Sequence, residues 1–217
     1  MMELGLKFTL GYLVGSALGS LLVGFFYGGV DIRKLGSGNA GGTNALRTQG
    51  KMFALWVMVI DVGKGILAAS VIPPLAIPGV GLSPDIDRTL VLYATSFAAV
   101  AGHVFPVWFG FRGGKGGATA AGLLCYLAPA AALPVIGTWL LIVLTTGFVG
   151  LATISASLAA VVFLGFTALP DRSGLFVFAC ATAVLLIYAH RGNIQRMLKG
   201  TESRLRRPPL RRLLGGK

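Results

Sequence analysis

Acidic residues are scarce in this chain, seven Asp and Glu against 19 Lys and Arg, and charged residues of both signs make up only 12% of it. A typical soluble domain carries roughly 25% charged residues. With 55% hydrophobic residues, the composition excludes an ordinary soluble globular domain and places the chain in a bilayer. Cysteine is nearly absent too. Cys125 and Cys180 both stand in apolar stretches without CxxC or Cys/His spacing, which argues against a disulfide framework or a metal centre. The two histidines, His103 and His190, do not belong to a Ser/His/Asp arrangement, and no nucleophile elbow is present. A covalent acyl-serine route is therefore not indicated, and neither a metal nor a cofactor is expected.

What is present is long uncharged sequence. Phe8–Val30 and Thr89–Phe111 each exceed the roughly 18 residues that a spanning helix requires. The first is long, Gly-rich and followed directly by a polar motif rather than a small-residue cleavage site, so it reads as a span and not as a secretory signal. Basic residues cluster at the ends of such runs and in the tail "RLRRPPLRRLLGGK". That placement fits cytoplasmic anchors and anionic headgroups, not a nucleic-acid face.

Counting spans by charge gives an all-α integral membrane protein of seven helices. The first runs from Leu4 to Tyr27 and ends at "DIRKLGSGN", a basic loop that sits inside under the positive-inside rule, with the N-terminus outside. The second starts near Met52 and ends in the Pro-rich "VIPPLAIPGVGLSPDID"; the third, Thr89–Trp108, returns to the basic "GFRGGKGG". Gly116–Pro170 is uncharged and far too long for one crossing of about 30 Å. Breaks at "APAAALP" and "TTGFVG" divide it into three spans, the first of them short. Gly174–Ala189 is then the seventh, leaving the nine basic residues from Arg191 onward in the cytoplasm. The organisation expected is a membrane domain over 1–202 and a basic tail over 203–217.

In this topology three polar motifs reach the cytoplasmic side. "GSGNAGGTNALRTQGK" offers Gly36, Ser37, Gly38, Asn39, Thr43, Asn44 and Arg47. "GHVFPVWFGFRGGKGGATA" offers His103, Arg112, Lys115 and the amides of Gly113, Gly114, Gly116 and Gly117, and "HRGNIQRMLKGTE" offers His190, Arg191, Asn193 and Glu202. Glycine amides and cationic side chains together suit phosphate oxygens. Each element also has a plain alternative: a mobile connector, membrane-edge anchors, or a packing histidine. Gly15, Ser16, Gly19 and Ser20 read as a small-residue packing face. Asp61 and Lys64, three residues apart on one helix face, read as a neutralising structural pair, with an ion path as the alternative.

The motifs "LGSGNAGGTNALR", "DVGKG", "GHVFPVWFGFRGGKGGATA" and "HRGNIQRMLKGTE" closely resemble, in order and spacing, those of bacterial membrane glycerol-3-phosphate acyltransferases that use acyl phosphate as donor. The resemblance covers about Gly15 to Glu202. It implies a seven-helix protein of the bacterial cytoplasmic membrane with its site on the cytoplasmic face. The reaction implied is acyl transfer from acyl phosphate to the 1-position hydroxyl of glycerol 3-phosphate, giving lysophosphatidic acid and phosphate, the first step of phospholipid synthesis. Matched by position, the essential Ser and Arg of the first motif fall on Ser37 and Arg47. The glycerol 3-phosphate loop falls on Gly110 and Gly113–Gly116 with Lys115 and His103, and the third motif falls on His190, Arg191, Asn193 and Glu202.

Three positions depart from the pattern. Gly42 stands where Ala is usual, which is expected only to loosen the loop, and Gly192 replaces a common Glu. "TTGFVGLATIS" has Gly150 and Thr153 at two serine positions, leaving the Thr153 hydroxyl as a substitute contact. The partners expected are the two substrates and membrane lipids, and the oligomeric state, a monomer included, is open. Because acyl phosphate is already activated, positioning and charge stabilisation suffice: direct transfer is expected, with the proton going to a substrate phosphate or to His103. A transporter for an anionic solute is the competing class.

Overall fold

The computed structural model describes residues 1–81 and 84–205; the expected basic tail lies, beyond residue 205, outside them. All regular structure among the described residues is helical. The chain divides into two compact units, Met1–Pro129 and Ala130–Lys217.

The first unit contains α1 (Met2–Ser16), α2 (Gly19–Phe26), α3 (Gly42–Gln49), α4 (Lys51–Ser70), α5 (Arg88–Val104) and α6 (Gly117–Leu127). Its helices meet through glycine, because apolar side chains gain little by leaving lipid for one another and close backbone approach supplies the attraction. A Cβ on Gly15 would collide with the Ala99 carbonyl of α5, and one on Gly102 of α5 with that of Tyr12. The α4–α6 contact is built likewise, Gly65 against Thr119 and Gly122 against Val62.

The first span is bent by 46° between α1 and α2. A break inside a membrane frees backbone groups that need partners. Here α4 supplies them: Lys64 Nζ donates to the Ala17 carbonyl at 2.7 Å, and the Gly19 amide donates to Asp61 Oδ1 at 3.1 Å. The buried pair that a sequence reader sees as a neutralised charge thus also closes the kink of the neighbouring helix.

The far end of α1 is held by a second ionic cluster. Glu3 Oε1 accepts from Lys7 Nζ at 2.8 Å and from Arg88 Nη1 at 2.7 Å, and Lys7 also donates to the Pro73 carbonyl at 2.6 Å. Glu3 and Lys7 are both buried.

The second unit comprises α7 (Ala132–Thr146), α8 (Val149–Thr167), α9 (Ser173–Ala189) and α10 (Arg191–Leu198). α8 packs on both α7 and α9. α7 has no buried residue, and Leu133, Ile136, Leu140, Leu141 and Leu144 are all exposed, the surface expected of a lipid-facing helix.

By length and composition four segments among the described residues can cross a membrane: α4, Arg88–Phe109, Pro129–Thr146 and α8. Counting the bent pairs α1/α2 and α9/α10 as one span each gives up to six, and α6 is a shorter apolar helix of eleven residues.

Candidate active site

The first loop is organised by Asn44. Its amide donates to the carbonyls of Ile32 at 2.9 Å, Leu35 at 3.0 Å and Asn39 at 3.0 Å, while its Oδ1 accepts the Ser37 amide at 2.9 Å. Gly36, at φ +57°, passes so close that a Cβ would strike that Oδ1. Asn44 is buried and both its amide protons are spent inside the loop, so it shapes the site instead of offering a donor to phosphate. The loop it folds carries Ser37 and Gly38 exposed, with Asn39 and Thr43 half-buried; Arg47 is exposed in the last turn of α3. A Cβ on Gly42 would stand 2.8 Å from Met58 Sδ, so the glycine makes room for a bulky neighbour on α4.

Arg33 joins this loop to the second one. Its guanidinium grips Asp31, Nε to Oδ1 at 3.0 Å and Nη2 to Oδ2 at 2.9 Å, and reaches across to the Arg112 carbonyl at 3.2 Å and over the Phe109 ring at 5.4 Å. Asp31 in turn caps the 3-10 turn Ile32–Lys34 by accepting the Arg33 amide. The side-chain bond to Arg33 holds the Asp31 carboxyl below its ordinary range, against a smaller opposing effect of burial. Charge alone marked Arg33 as a membrane-edge anchor; the Asp-x-Arg spacing was the available signal for its bridging part.

The glycine loop hangs from His103. The Gly114 amide donates to the His103 carbonyl at 3.0 Å, and a Cβ on Gly114 would run into the His103 ring at Nε2. A Cβ on Gly113 would meet the His103 carbonyl. Lys115 follows, half-buried, and Gly116, at φ +81°, is the residue before the first turn of α6, whose leading amides lack helical partners. His103 Nδ1 lies 2.8 Å from Lys64 Nζ, which is 2.9 Å from Asp61 Oδ1. The structure therefore brings the Asp61–Lys64 pair, His103 and the glycine loop into one connected set.

The third motif lies wholly in the second unit. Asn193 is buried and donates to Glu202 Oε1 at 2.7 Å, and Arg196 Nε donates to Glu202 Oε2 at the same distance. With both oxygens engaged, Glu202 braces Asn193 and is not a group for binding phosphate. Arg196 completes the brace and went unnoticed in the sequence. Gly150, in the first turn of α8, comes close enough that a Cβ would stand 3.0 Å from Asn193 Cβ. That replaces the expected serine contact with a packing requirement. The Thr153 hydroxyl donates to the Val149 carbonyl at 3.0 Å and receives Trp139 Nε1 at 3.3 Å. His190 is buried, with Nδ1 2.8 Å from the Leu186 carbonyl; Arg191 stacks on Tyr188 at 4.2 Å.

These geometries sit on a sequence that matches a known family across most of its length. Residues 6–200 fit the family described as glycerol-3-phosphate acyltransferase. The chain belongs to that family. A glycerol-3-phosphate acyltransferase of Chlorobium luteolum is 37% identical over 94% of this chain and 97% of its own, and one of Chlorobaculum tepidum is 39% identical over 89% and 93%. Among solved structures the chain is similar to PlsY, an integral membrane glycerol 3-phosphate acyltransferase. Against its glycerol 3-phosphate form the TM-score is 0.79, with 37% identity over 97% of this chain and 98% of that one. Against its lysophosphatidic acid form the TM-score is 0.76, with 35% identity over 93% and 94%. This acyltransferase is thus an integral membrane protein of phospholipid synthesis, which decides between acyl transfer and the solute-transport alternative.

Proposed function

We propose that the chain transfers an acyl group from acyl phosphate to the 1-position hydroxyl of glycerol 3-phosphate, at the cytoplasmic face of a bacterial cytoplasmic membrane, in a seven-span topology with the N-terminus outside. The observation that carries this reading is the glycine loop Gly113–Gly116 hung on a buried His103, within a family named for the acceptor. The charge distribution supports the topology, since the loops after α2 and α5 and the chain after α9 are basic. α6 is then the short fourth span, packed against α4, and completes the count of seven.

In this reading the Gly113–Gly116 amides and Lys115 hold the glycerol 3-phosphate phosphate, and Arg47 with the Ser37–Asn39 turn holds the acyl phosphate. Asn193, fixed by Glu202, orients a reacting group, with His190 and Arg191 beside it in the chain. The acceptor hydroxyl attacks the acyl carbonyl, the carbonyl carbon–oxygen bond to phosphate breaks, and inorganic phosphate leaves. The hydroxyl proton passes to a substrate phosphate, whose second pKa of about 6 suits it to accept. No acyl-enzyme is formed.

The test is acyl transfer by the purified protein in detergent, from palmitoyl phosphate or palmitoyl-CoA to glycerol 3-phosphate, with Lys115→Ala as control. Product from palmitoyl phosphate alone, lost in the variant, is expected. Product from palmitoyl-CoA alone would overturn the donor assignment, and no product from either would overturn the reaction.

A further inference from the structure

The chain after α10 turns back onto the second unit. Gly200, at φ +69°, ends the helix, and the Thr201 and Glu202 amides both donate to the Arg196 carbonyl, at 2.8 and 3.1 Å. There Glu202 is pinned by Asn193 and Arg196. Two residues further on, the chain meets the turn that joins α7 to α8. Arg204 Nη1 donates to the Thr146 carbonyl at 3.1 Å, its guanidinium lies over the Phe148 ring at 4.6 Å, and the Leu205 amide donates to the Gly147 carbonyl at 2.8 Å. Consecutive residues cover consecutive carbonyls, which sets the register of the contact.

Those carbonyls need donors from outside the helix. Thr146 is the last residue of α7, and Gly147, at φ +77°, reverses the chain after it. The last carbonyls of a helix have no partner within it, and the negative end of its dipole favours a cation. The turn itself, "TTGFVG", carries no charge. Arg204 brings both the donor and the charge from the far end of the chain.

The contact closes a ring around Asn193. Asn193 bonds Glu202, the chain leads from there to Arg204 and Leu205, these hold Thr146 and Gly147, and three residues after Gly147 the chain returns to Asn193 at Gly150. Opened at Arg204, the ring leaves Glu202 tied to α10 but no longer to the start of α8. We propose that Arg204 is a positioning residue: with the Leu205 amide it clamps residues 201–205 across the α7–α8 turn and so fixes Asn193 against the first turn of α8 during acyl transfer. It acts through Glu202 and Asn193 and not on a substrate. That Asn193 orients a reacting group rests on the function proposed above; the clamp does not.

The test is Arg204→Ala in the full chain, purified in detergent. Arg204 is exposed, so its loss strands no buried charge, and melting in detergent checks that the variant is folded. Amide hydrogen exchange over residues 201–205 should be slow in the unmodified protein and fast in the variant, whether or not either is active. In acyl transfer from palmitoyl phosphate, kcat should fall about fivefold, the usual net weight of one hydrogen bond, with KM for glycerol 3-phosphate within about twofold. Arg204→Lys keeps a donor and a charge but loses the flat guanidinium over Phe148, and should fall between the two. Leu205→Pro deletes the other donor and should repeat the Arg204→Ala pattern. Because Arg204 acts through Glu202, Glu202→Ala/Arg204→Ala should be no slower than Glu202→Ala alone.

Unchanged exchange in the folded Arg204→Ala protein would overturn the clamp. A raised KM at unchanged kcat would make Arg204 a substrate-binding cation, and losses that multiply in the double variant would make it independent of Glu202; either result overturns the positioning role. If the unmodified protein acylates nothing, the functional reading has failed, while the exchange measurement still decides the clamp.

Discussion

Asn193 reaches Glu202 across nine positions of sequence, amide to carboxylate at 2.7 Å, and Arg196 closes the other carboxylate oxygen at 2.7 Å. Two charge-assisted bonds on one carboxylate fix the orientation of a buried amide. Glu202→Ala should release Asn193 and lower kcat by about tenfold or more, with a smaller change in KM, because orientation is lost and no binding group is removed. Arg196→Ala should fall between the unmodified enzyme and Glu202→Ala. Steady-state acyl transfer on all three checks the order, and an Arg196 variant worse than the Glu202 variant would contradict it.

Gly114 offers the sharpest steric test. An alanine there would bring its methyl against His103 Nε2, where close packing leaves no room. Gly114→Ala should reduce kcat/KM by about a hundredfold, since a displacement of about 1 Å at a positioning loop carries that weight. Gly63→Ala is the matched control: no atom lies within 4 Å of its Cβ position, and alanine is the better helix former. The control should keep full activity and lose no thermal stability in detergent.

The sequence announced the fold through absence of charge. Long neutral runs ended by charged residues locate α5 and α9 within a few residues, and the glycine break "TTGFVG" locates the start of α8, because a bilayer limits both the length and the charge of a span. It did not announce the break between Ser16 and Gly19, since nothing in "GSALGS" distinguishes a kink from a packing face. The kink became visible only when Asp61 and Lys64 were found on its freed amide and carbonyl. The motifs located the site residues but not their division of labour. Asn44 and Glu202 look like ligand groups in a string of polar letters. They turn out to be braces, because the partners that occupy them are backbone carbonyls and an arginine six residues away, contacts that a string of letters does not show.

Arg33 and Asp31 give a prediction in pH. The Arg33 side-chain bond lowers the Asp31 carboxyl, so the folded form has the lower pKa and the tie strengthens folding above the ordinary aspartate value of about 3.9. That contribution disappears as pH falls through the depressed folded value. Hydrogen exchange of residues 31–39, taken relative to its intrinsic rate at each pH, should therefore stay slow near neutrality and quicken under acid conditions. Arg33→Ala should show the fast behaviour already at neutral pH, together with a raised KM for glycerol 3-phosphate, because the link to the Arg112 carbonyl is gone.

Glu3, Lys7 and Arg88 separate stability from catalysis. They tie the N-terminal turn of α1 to that of α5, whereas His103 stands at the opposite end of α5. The i,i+4 spacing of Glu3 and Lys7 was readable in sequence, but the burial of both was not. Glu3→Ala would leave the Lys7 ammonium buried with only the Pro73 carbonyl among its described acceptors, and breaking a buried pair in this way costs about 3–5 kcal/mol. Arg88→Ala should cost far less, because the Arg88 side chain is 48% exposed and Lys7 still neutralises Glu3. Melting in detergent should rank Glu3→Ala well below Arg88→Ala, and Arg88→Ala just below the unmodified protein. The kcat of the folded fraction should be unchanged in both variants. A drop in kcat at full folding would mean that this distant cluster reaches the glycine loop through α5, and would tie the two ends of the helix into one device.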